Sequence, residues 1–530
     1  MNARDATRSA YDCIVIGGGH NGLACAAYLA RAGRSVLVLE AAERLGGASV
    51  TREFAPGFRV SAGAHLLHQM PARLIEDLEL TRHGLRWAAQ SLATAAIAPD
   101  EPALMLGGST PGSIDGSIDR DDAAAYARFM ALMERFAAVI SPMLESVPPR
   151  LGTDQWSERL SLLRLGWRIR RLGRRDMREL LRIAGMNVYD LLKEHFRSPL
   201  LQGALGFDAV LGTNLGPRAP GTVMTLLYRL AAQRGAGPRA LALPVGGLGA
   251  VSDALAASAR AAGAQIRLAA PVARVAIADD RACGVTLESG ESIAAGAVVS
   301  SADPRTSFLG LVGSEHLDTA FVRRVHHLRT RGLAAKLHLA LDGLPKFSGL
   351  PADAHGARLL IAPALEYVEH AYNHSKYGEY SAAPALEVSL PTCHDPSLAP
   401  PGKHVMSVIV QYVPYELNGG WAGQREALAS RLIDQLERHA PGLRGLVRER
   451  ELLAPPDLER EFRIEGGHWH HVDLALDQFY AVRPVPGATQ HRTPLPGFYL
   501  CGAGCHPGGG VMGIAGRNAA RQVIAAGLAA

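Results

Sequence analysis

The chain has 530 residues, 48% hydrophobic and 20% charged, which is enough to bury a sizeable core and divides into roughly three or four domain-sized units, or two large interleaved ones. Its 57 glycines gather at turns and not in low-complexity tracts, which excludes a fibrous or disordered chain. A formal charge of +5, with only five lysines among 55 basic residues, is too slight for this length to imply a nucleic-acid partner.

The first ten residues are polar and run straight into an apolar stretch, with no hydrophobic signal core before it. Nowhere do about 18 apolar residues follow one another. Six scattered cysteines are too few for a disulfide scaffold. Together these features predict a reducing, cytoplasmic setting.

Cys13–Ile16 reads as a strand buried on both faces, Gly22–Arg31 as a helix capped by Gly33, and Ser35–Leu39 as a second buried strand ending at Glu40. This is a β-α-β unit within about 30 residues. Its turn, Gly17-Gly18-Gly19-His20-Asn21-Gly22, fits the dinucleotide pattern G-x-G-x-x-G. The first glycine permits the tight turn, the second lets a pyrophosphate approach the backbone, and the third lets helix and strand pack closely. The pattern therefore makes Gly17, Gly19, His20, Asn21 and Gly22 candidate phosphate contacts at a helix N-terminus. Glu40 stands where a carboxylate accepts both ribose hydroxyls. Arg44-Leu45-Gly46-Gly47 adds a second backbone approach and a cation, an arrangement that resembles the second glycine motif of FAD-binding oxidoreductases. No second complete G-x-G-x-x-G follows, and no cysteine pair lies between Gly22 and Gly63.

From about 70 to 240 the pattern predicts a mostly helical insertion. Gly107–Asp119 reads as a loop, Asp121 or Asp122 opens a helix over Ala123–Phe136, and helical periodicity continues through Leu162–Met186 and Val188–Phe196. Within 162–182, eight arginines interleave with Leu162, Leu163, Leu165, Trp167, Ile169 and Leu172. Such a segment is either a solvated helix face or a peripheral contact with an anionic membrane. A glycine turn at Pro244–Gly249 then precedes a helix over Ala250–Ala262. A meander follows through Val272–Ala278, Gly284–Glu288 and Ala297–Ser300, with turns at Asp279-Asp280 and Ser289-Gly290. A second insertion from about 310 to 480 holds strand-like Leu337–Leu341 and Val405–Val413 and an amphipathic helix, Gln424–His439.

The C-terminal run is a strand at Gly497–Cys501, a glycine-dense turn through Gly513, and a closing helix to Ala526. Such a turn brings backbone close to a flat ring, and a helix dipole beside it stabilises an anionic reduced flavin. This segment favours FAD over NAD as the cofactor. With the N-terminal motif, Pro244–Asp253, Val299–Pro304, Leu476–Gly487 and Gly502–Asn518, the chain resembles the phytoene desaturase-related FAD oxidoreductases. Within that family it is most similar to the subgroup of desaturase-like carotenoid ketolases and pyridine nucleotide-disulfide oxidoreductase domain-containing protein 2.

The resemblance implies an α/β fold: a discontinuous Rossmann-like FAD-binding domain (1–70, 240–310 and 480–530) with an inserted mixed α+β substrate domain (71–239 and 311–479, helical near 120–200). It implies that the Val272 backbone holds the adenine, that Arg44 lies near the pyrophosphate, and that Gly502, Gly504 and Gly513 lie near the flavin. Cys505 stands where such sequences more often carry threonine or serine, and is a candidate for a covalent flavin link. His65, His68, His471 and His506 are candidates for proton transfer near the ring. His468, His470 and His471 lack a carboxylate or cysteine partner at metal-ligand spacing, so no metal is expected. The implied activity is oxidation or desaturation of a largely apolar organic substrate by hydride transfer to flavin, which oxygen or a quinone reoxidises. A redox-neutral isomerase or a carotenoid-type ketolase fits the same fold, as does a binding protein of the Rab GDP-dissociation inhibitor type, which the intact glycine motifs disfavour.

Overall fold

The computed structural model describes residues 10–99, 101–107, 112–152 and 154–527. The polar N-terminal residues 1–9, the middle of the expected loop at 107–119 and the last three residues lie outside that description.

Strand Ala10–Ile16 (β1), helix His20–Arg31 (α1) and strand Val36–Leu39 (β2) make the expected β-α-β unit, with β1 and β2 parallel. Their apolar residues are buried on both sheet faces because helices and the meander cover them, which is why the run is continuous and not alternating. Gln265–Arg267 extends the sheet beyond β2. On the other side β1 pairs in parallel with Ser292–Ser300. That long strand meets the meander strand Arg281–Leu287 along its first half and Phe498–Leu500 along its second. The sheet thus collects strands from three distant stretches of chain. The turn Asp279-Asp280 has φ of 50° and 54°, the paired positive values a tight two-residue hairpin needs.

A second sheet of eight strands runs Val447–Leu453, Ala334–Leu341, His404–Gln411, Leu386–Ser389, Arg358–Ile361, Ala93–Ala96, Leu104–Gly107, Ile114–Asp115. Ala334–Leu341, its neighbour on both sides paired, is buried along its whole length. Helices Arg120–Leu144, Val188–His195, Pro199–Val210 and Thr222–Ala236 pack into one apolar cluster beside it. The fold is therefore α/β, a Rossmann-like domain carrying a mixed α+β insertion.

Several local expectations need correction. The block at 70–240 is not wholly helical: Ala93–Ala96, Leu104–Gly107 and Ile114–Asp115 belong to the second sheet, too short to leave a period-2 signal. The helix placed at Ala123 begins at Arg120, capped by Asp119, whose side chain accepts from Asp121 N at 2.8 Å. The periodic run at 162–186 is two helices, Trp156–Arg171 and Gly173–Ile183, broken where Gly173 adopts φ of 85°. No residue of the first of these helices is buried, and Trp156, Leu163 and Trp167 are each more than half exposed. Among the described residues no helix is long and apolar enough to cross a membrane.

One buried cation ties the C-terminal turn to the chain that faces it. Arg483, fully buried, donates to six backbone carbonyls: His470, Val472, Asp473 and Gln478 on one segment, Ala503 and Cys505 on the other, at 2.8–3.3 Å. Replacing it leaves those acceptors without a donor, at about 1–3 kcal/mol for each that finds no other partner. Arg483→Met should lower the midpoint of thermal unfolding by several degrees, equivalent to about 3 kcal/mol or more. Arg82→Met, at a side chain 79% exposed, should leave it within about 0.5 kcal/mol. Equal effects of the two would show that the carbonyl cluster holds nothing in place.

Candidate active site

The turn after β1 places Gly17, Gly19, His20 and Asn21 along a cleft that also takes in Glu40, Arg44, Gly46 and Gly47. About 550 Å³ of this cleft is open to the centres of water molecules. The two glycine motifs touch: Gly46 N donates to Gly18 O at 2.9 Å. Glu40 stands at the end of β2, as expected, and its carboxylate accepts from Gly18 N at 2.6 Å and Ala42 N at 2.8 Å. It thus braces the turn while lining the cleft. Val272, Ser301, Ala302, Ala503 and His471 line the same cleft.

A dinucleotide fits what this cleft leaves open. A Cβ built on Gly19 meets nothing within 4 Å, whereas one on Gly22 falls 2.1 Å from Gly17 O. Gly19 is glycine for an occupant, and Gly22 is glycine for helix-strand packing. Helix α1 starts on Gly19 with no side-chain cap, as an anion-binding N-terminus requires. His20 Nε2, Asn21 Oδ1 and His471 Nδ1, all on residues lining the cleft, have no hydrogen-bond partner in the protein.

The other C-terminal candidates lie elsewhere. Gly502 and Gly504 do not line the cleft; a Cβ on Gly502 would fall 2.5 Å from Ser301 O and one on Gly504 2.6 Å from the Pro304 ring, so both are glycine for close packing of the turn. Gly513 caps the closing helix against Leu74. Cys505 is buried in the apolar cluster beneath the first sheet, and burial pushes its thiol far above the ordinary range. His506 is buried with Nε2 against Met143 O at 2.9 Å. The structure thus brings neither Cys505 nor His506 to the cleft, because the turn faces the cleft through Ala503. His471 does reach it. Burial, with Arg483 and His468 adding to it, pulls its pKa down to about 3, so it is neutral near pH 7.

A second cavity opens against the first, sharing His20, Ala48 and Trp469. About 120 Å³ of it is open to water centres, room for on the order of ten waters. Leu66, Ala209, Leu211, Ile409, Leu474 and Val511 make it largely apolar. One end is ionic: beside the sequence candidates His65 and His68 stand Asp208, Arg229 and Glu387, and Lys336 and Arg358 bond to this group, five charged residues that no sequence motif marks. His65 Nε2 meets Glu387 Oε1 at 2.8 Å, and its Nδ1 meets Lys336 Nζ at 3.0 Å. Arg358 bonds Glu387 Oε2 at 2.7 Å and Asp208 Oδ1 at 2.5 Å. Burial would raise the Glu387 pKa, but Arg358 and His65 outweigh it and hold the carboxylate well below its usual range. Burial lowers Lys336 to about 7 against the pull of Glu387. It also lowers His65 to about 4, with Lys336 adding to the effect. Arg229 and His68 complete the wall.

A dinucleotide cleft on a Rossmann-like sheet, opening onto a largely apolar cavity, is the architecture of an FAD-dependent oxidoreductase. The sequence profile of the flavin-containing amine oxidoreductases spans residues 22–524. Mouse pyridine nucleotide-disulfide oxidoreductase domain-containing protein 2 is 37% identical over 97% of this chain and 93% of its own length. The lycopene-forming phytoene desaturase of Pseudescherichia vulneris is 26% identical over 94% of this chain and 96% of its own. Cyclohexylamine oxidase from Brevibacterium oxydans shares the fold, with a TM-score of 0.59 at 18% identity over 97% and 98% of the two chains. The chain belongs to the flavin-containing amine oxidoreductase family, and its cofactor is FAD. The kinship with phytoene desaturases expected from the motifs holds.

The two glycines give a clean test of the cleft. Gly19 has φ of −70°, open to any residue, so Gly19→Ala should leave the apoprotein's unfolding midpoint unchanged within about 0.5 kcal/mol while FAD affinity falls about tenfold or more. Gly22→Ala should lower both. Retention of FAD by Gly19→Ala at wild-type affinity would remove the pyrophosphate from this turn.

Proposed function

We propose that this chain oxidises or desaturates a largely apolar organic substrate, bound in the cavity that meets the cofactor cleft at His20, Ala48 and Trp469. The observation that carries this reading is that shared wall: an apolar body in the cavity meets the cleft where His20, Ala48 and Trp469 line both. FAD, when bound, supplies the hydride acceptor. The protein's part is to hold the substrate and exclude water. Both ring nitrogens of His65 are engaged, so its role is to fix Glu387 and Lys336. His20 Nε2, His68 Nδ1 and His470 Nδ1 have no partner and belong to residues of the cavity wall. Burial depresses all three rings, His20 to about 4, so they are neutral near pH 7 and weak bases there, each offering the substrate a free ring nitrogen for a hydrogen bond. No second nicotinamide motif occurs, which favours oxygen or a quinone as the acceptor. The kinship with a bacterial phytoene desaturase agrees with an apolar substrate.

Anaerobic flavin bleaching, followed by visible absorbance against carotenoids, retinoids, amines and apolar carboxylic acids, tests this. Bleaching by one class is expected. A bound, chemically reducible flavin that none of them bleaches would favour a redox-neutral isomerase or an oxygen-dependent ketolase.

The helices Trp156–Arg171 and Gly173–Ile183 support a peripheral membrane contact that would deliver such a substrate. Exposed Trp156, Leu163 and Trp167 stand beside Arg164, Arg168, Arg171 and Arg175, the mixture that seats a helix on anionic lipid. The protein should float with phosphatidylserine vesicles at low salt and release as salt rises. Absence of flotation at low salt would assign the segment to a solvated face.

A further inference from the structure

The ionic end of the apolar cavity is one hydrogen-bonding group short. On helix Thr222–Ala236, residues Thr225, Tyr228 and Arg229 share a face, by their i, i+3 and i+4 spacing, and all three line the cavity. Arg229 is 7% exposed, yet its Nε and Nη2 have no hydrogen-bond partner in the protein. Its ion-pair partner is Asp208 Oδ1 at 3.4 Å, and that same oxygen already accepts from Arg358 at 2.5 Å. Glu387 makes no hydrogen bond with it either; its Oε1 meets His65 and its Oε2 Arg358. His68 lines the same cavity with Nδ1 unpartnered. Its basicity is depressed by burial and by Arg229. Burial likewise weakens the hold of Arg229 on its own charge, with Asp208 only partly offsetting it.

A buried guanidinium with two nitrogens lacking hydrogen bonds is costly in a folded protein, and its ion-pair partner, Asp208, accepts a hydrogen bond from neither. An occupant that brings its own acceptor resolves it. We propose that Arg229 anchors the carboxylate of the substrate, with His68 beside it, so that the substrate is an apolar carboxylic acid. Its hydrocarbon body lies along Leu66, Leu211, Ile409 and Val511 towards the His20–Trp469 junction. A monoanion matches this end of the cavity. A phosphate dianion would face Asp208 and Glu387 with a single unmatched guanidinium to balance it. The assignment rests on the cavity being the substrate site, and it goes beyond that reading by naming the group recognised and the residue that recognises it.

The test uses the FAD-loaded enzyme and two probes of equal length, hexanoate and hexan-1-ol, titrated by their perturbation of the flavin visible spectrum. Wild type should bind hexanoate at least about tenfold more tightly than hexan-1-ol. In Arg229→Gln and Arg229→Met the hexanoate advantage should disappear while hexan-1-ol affinity stays put. In Arg229→Lys part of it should remain. A role in folding alone would weaken both probes together, and the wild-type comparison stands even if a variant misfolds. Equal affinity of wild type for the two probes, or a hexanoate advantage that survives Arg229→Gln, would overturn the carboxylate assignment and leave the cavity as the substrate site. No competition between the probes and no spectral change with either would overturn both.

Discussion

The geometry of the site depends on a cation that touches neither cavity. Arg483 has no carboxylate in hydrogen-bond contact; six backbone carbonyls take the place of its water shell. Burial pulls its pKa down to about 10, so it stays charged near neutrality. Four of those carbonyls belong to the segment after Trp469, the residue that forms the partition between cleft and cavity. The other two belong to the C-terminal turn, whose Ala503 faces the cleft. With five fixed N–H groups in one plane, a guanidinium sets the spacing of two irregular segments that no sheet ladder controls. The partition therefore stands where the cofactor cleft and the apolar cavity can share it.

The cleft itself is held by shorter links. Gly46 donates to Gly18, and Glu40 closes the same turn from the end of β2, so the two glycine motifs move as one body. Apolar cavity and cofactor cleft are built by opposite means. The cleft is backbone, kept open by the absence of side chains at Gly19 and Gly47. The cavity is side chain, its polar end backed by a buried hydrogen-bonded network from Lys336 through neutral His65, Glu387 and Arg358 to Asp208. A low-dielectric wall of this kind is rigid where every member is satisfied and receptive where one is not. Arg229 is the member not satisfied.

The nucleotide fold was legible because its signals are local. Strand, turn, helix and terminal acid lie within about 30 residues, and the amphipathic helix Gln424–His439 was read to the residue. The short strands at 93–115 were not legible, since two to four Ala- and Leu-rich residues carry no period. The misplacement of Cys505 and His506 came from taking nearness in sequence to a glycine turn as nearness to the ring. The turn shows the cleft its backbone and sends those side chains into the core. The ionic wall was missed because it is assembled from residues up to 322 positions apart. Signals for it did exist. Arg358 and Glu387 each interrupt an otherwise apolar strand, and Lys336, one of only five lysines, sits inside another. A charge that breaks a buried strand pattern must find a partner, and that rule would have drawn the three together.

If the apolar cavity feeds the cofactor, the flavin ring sits where the two cavities meet, and a crystal structure of the FAD-loaded protein decides it. The isoalloxazine is expected between His20, Ala48 and Trp469, with one side open to the cavity that Arg229 lines. A ring seated elsewhere along the cleft, with protein between it and that cavity, would contradict it.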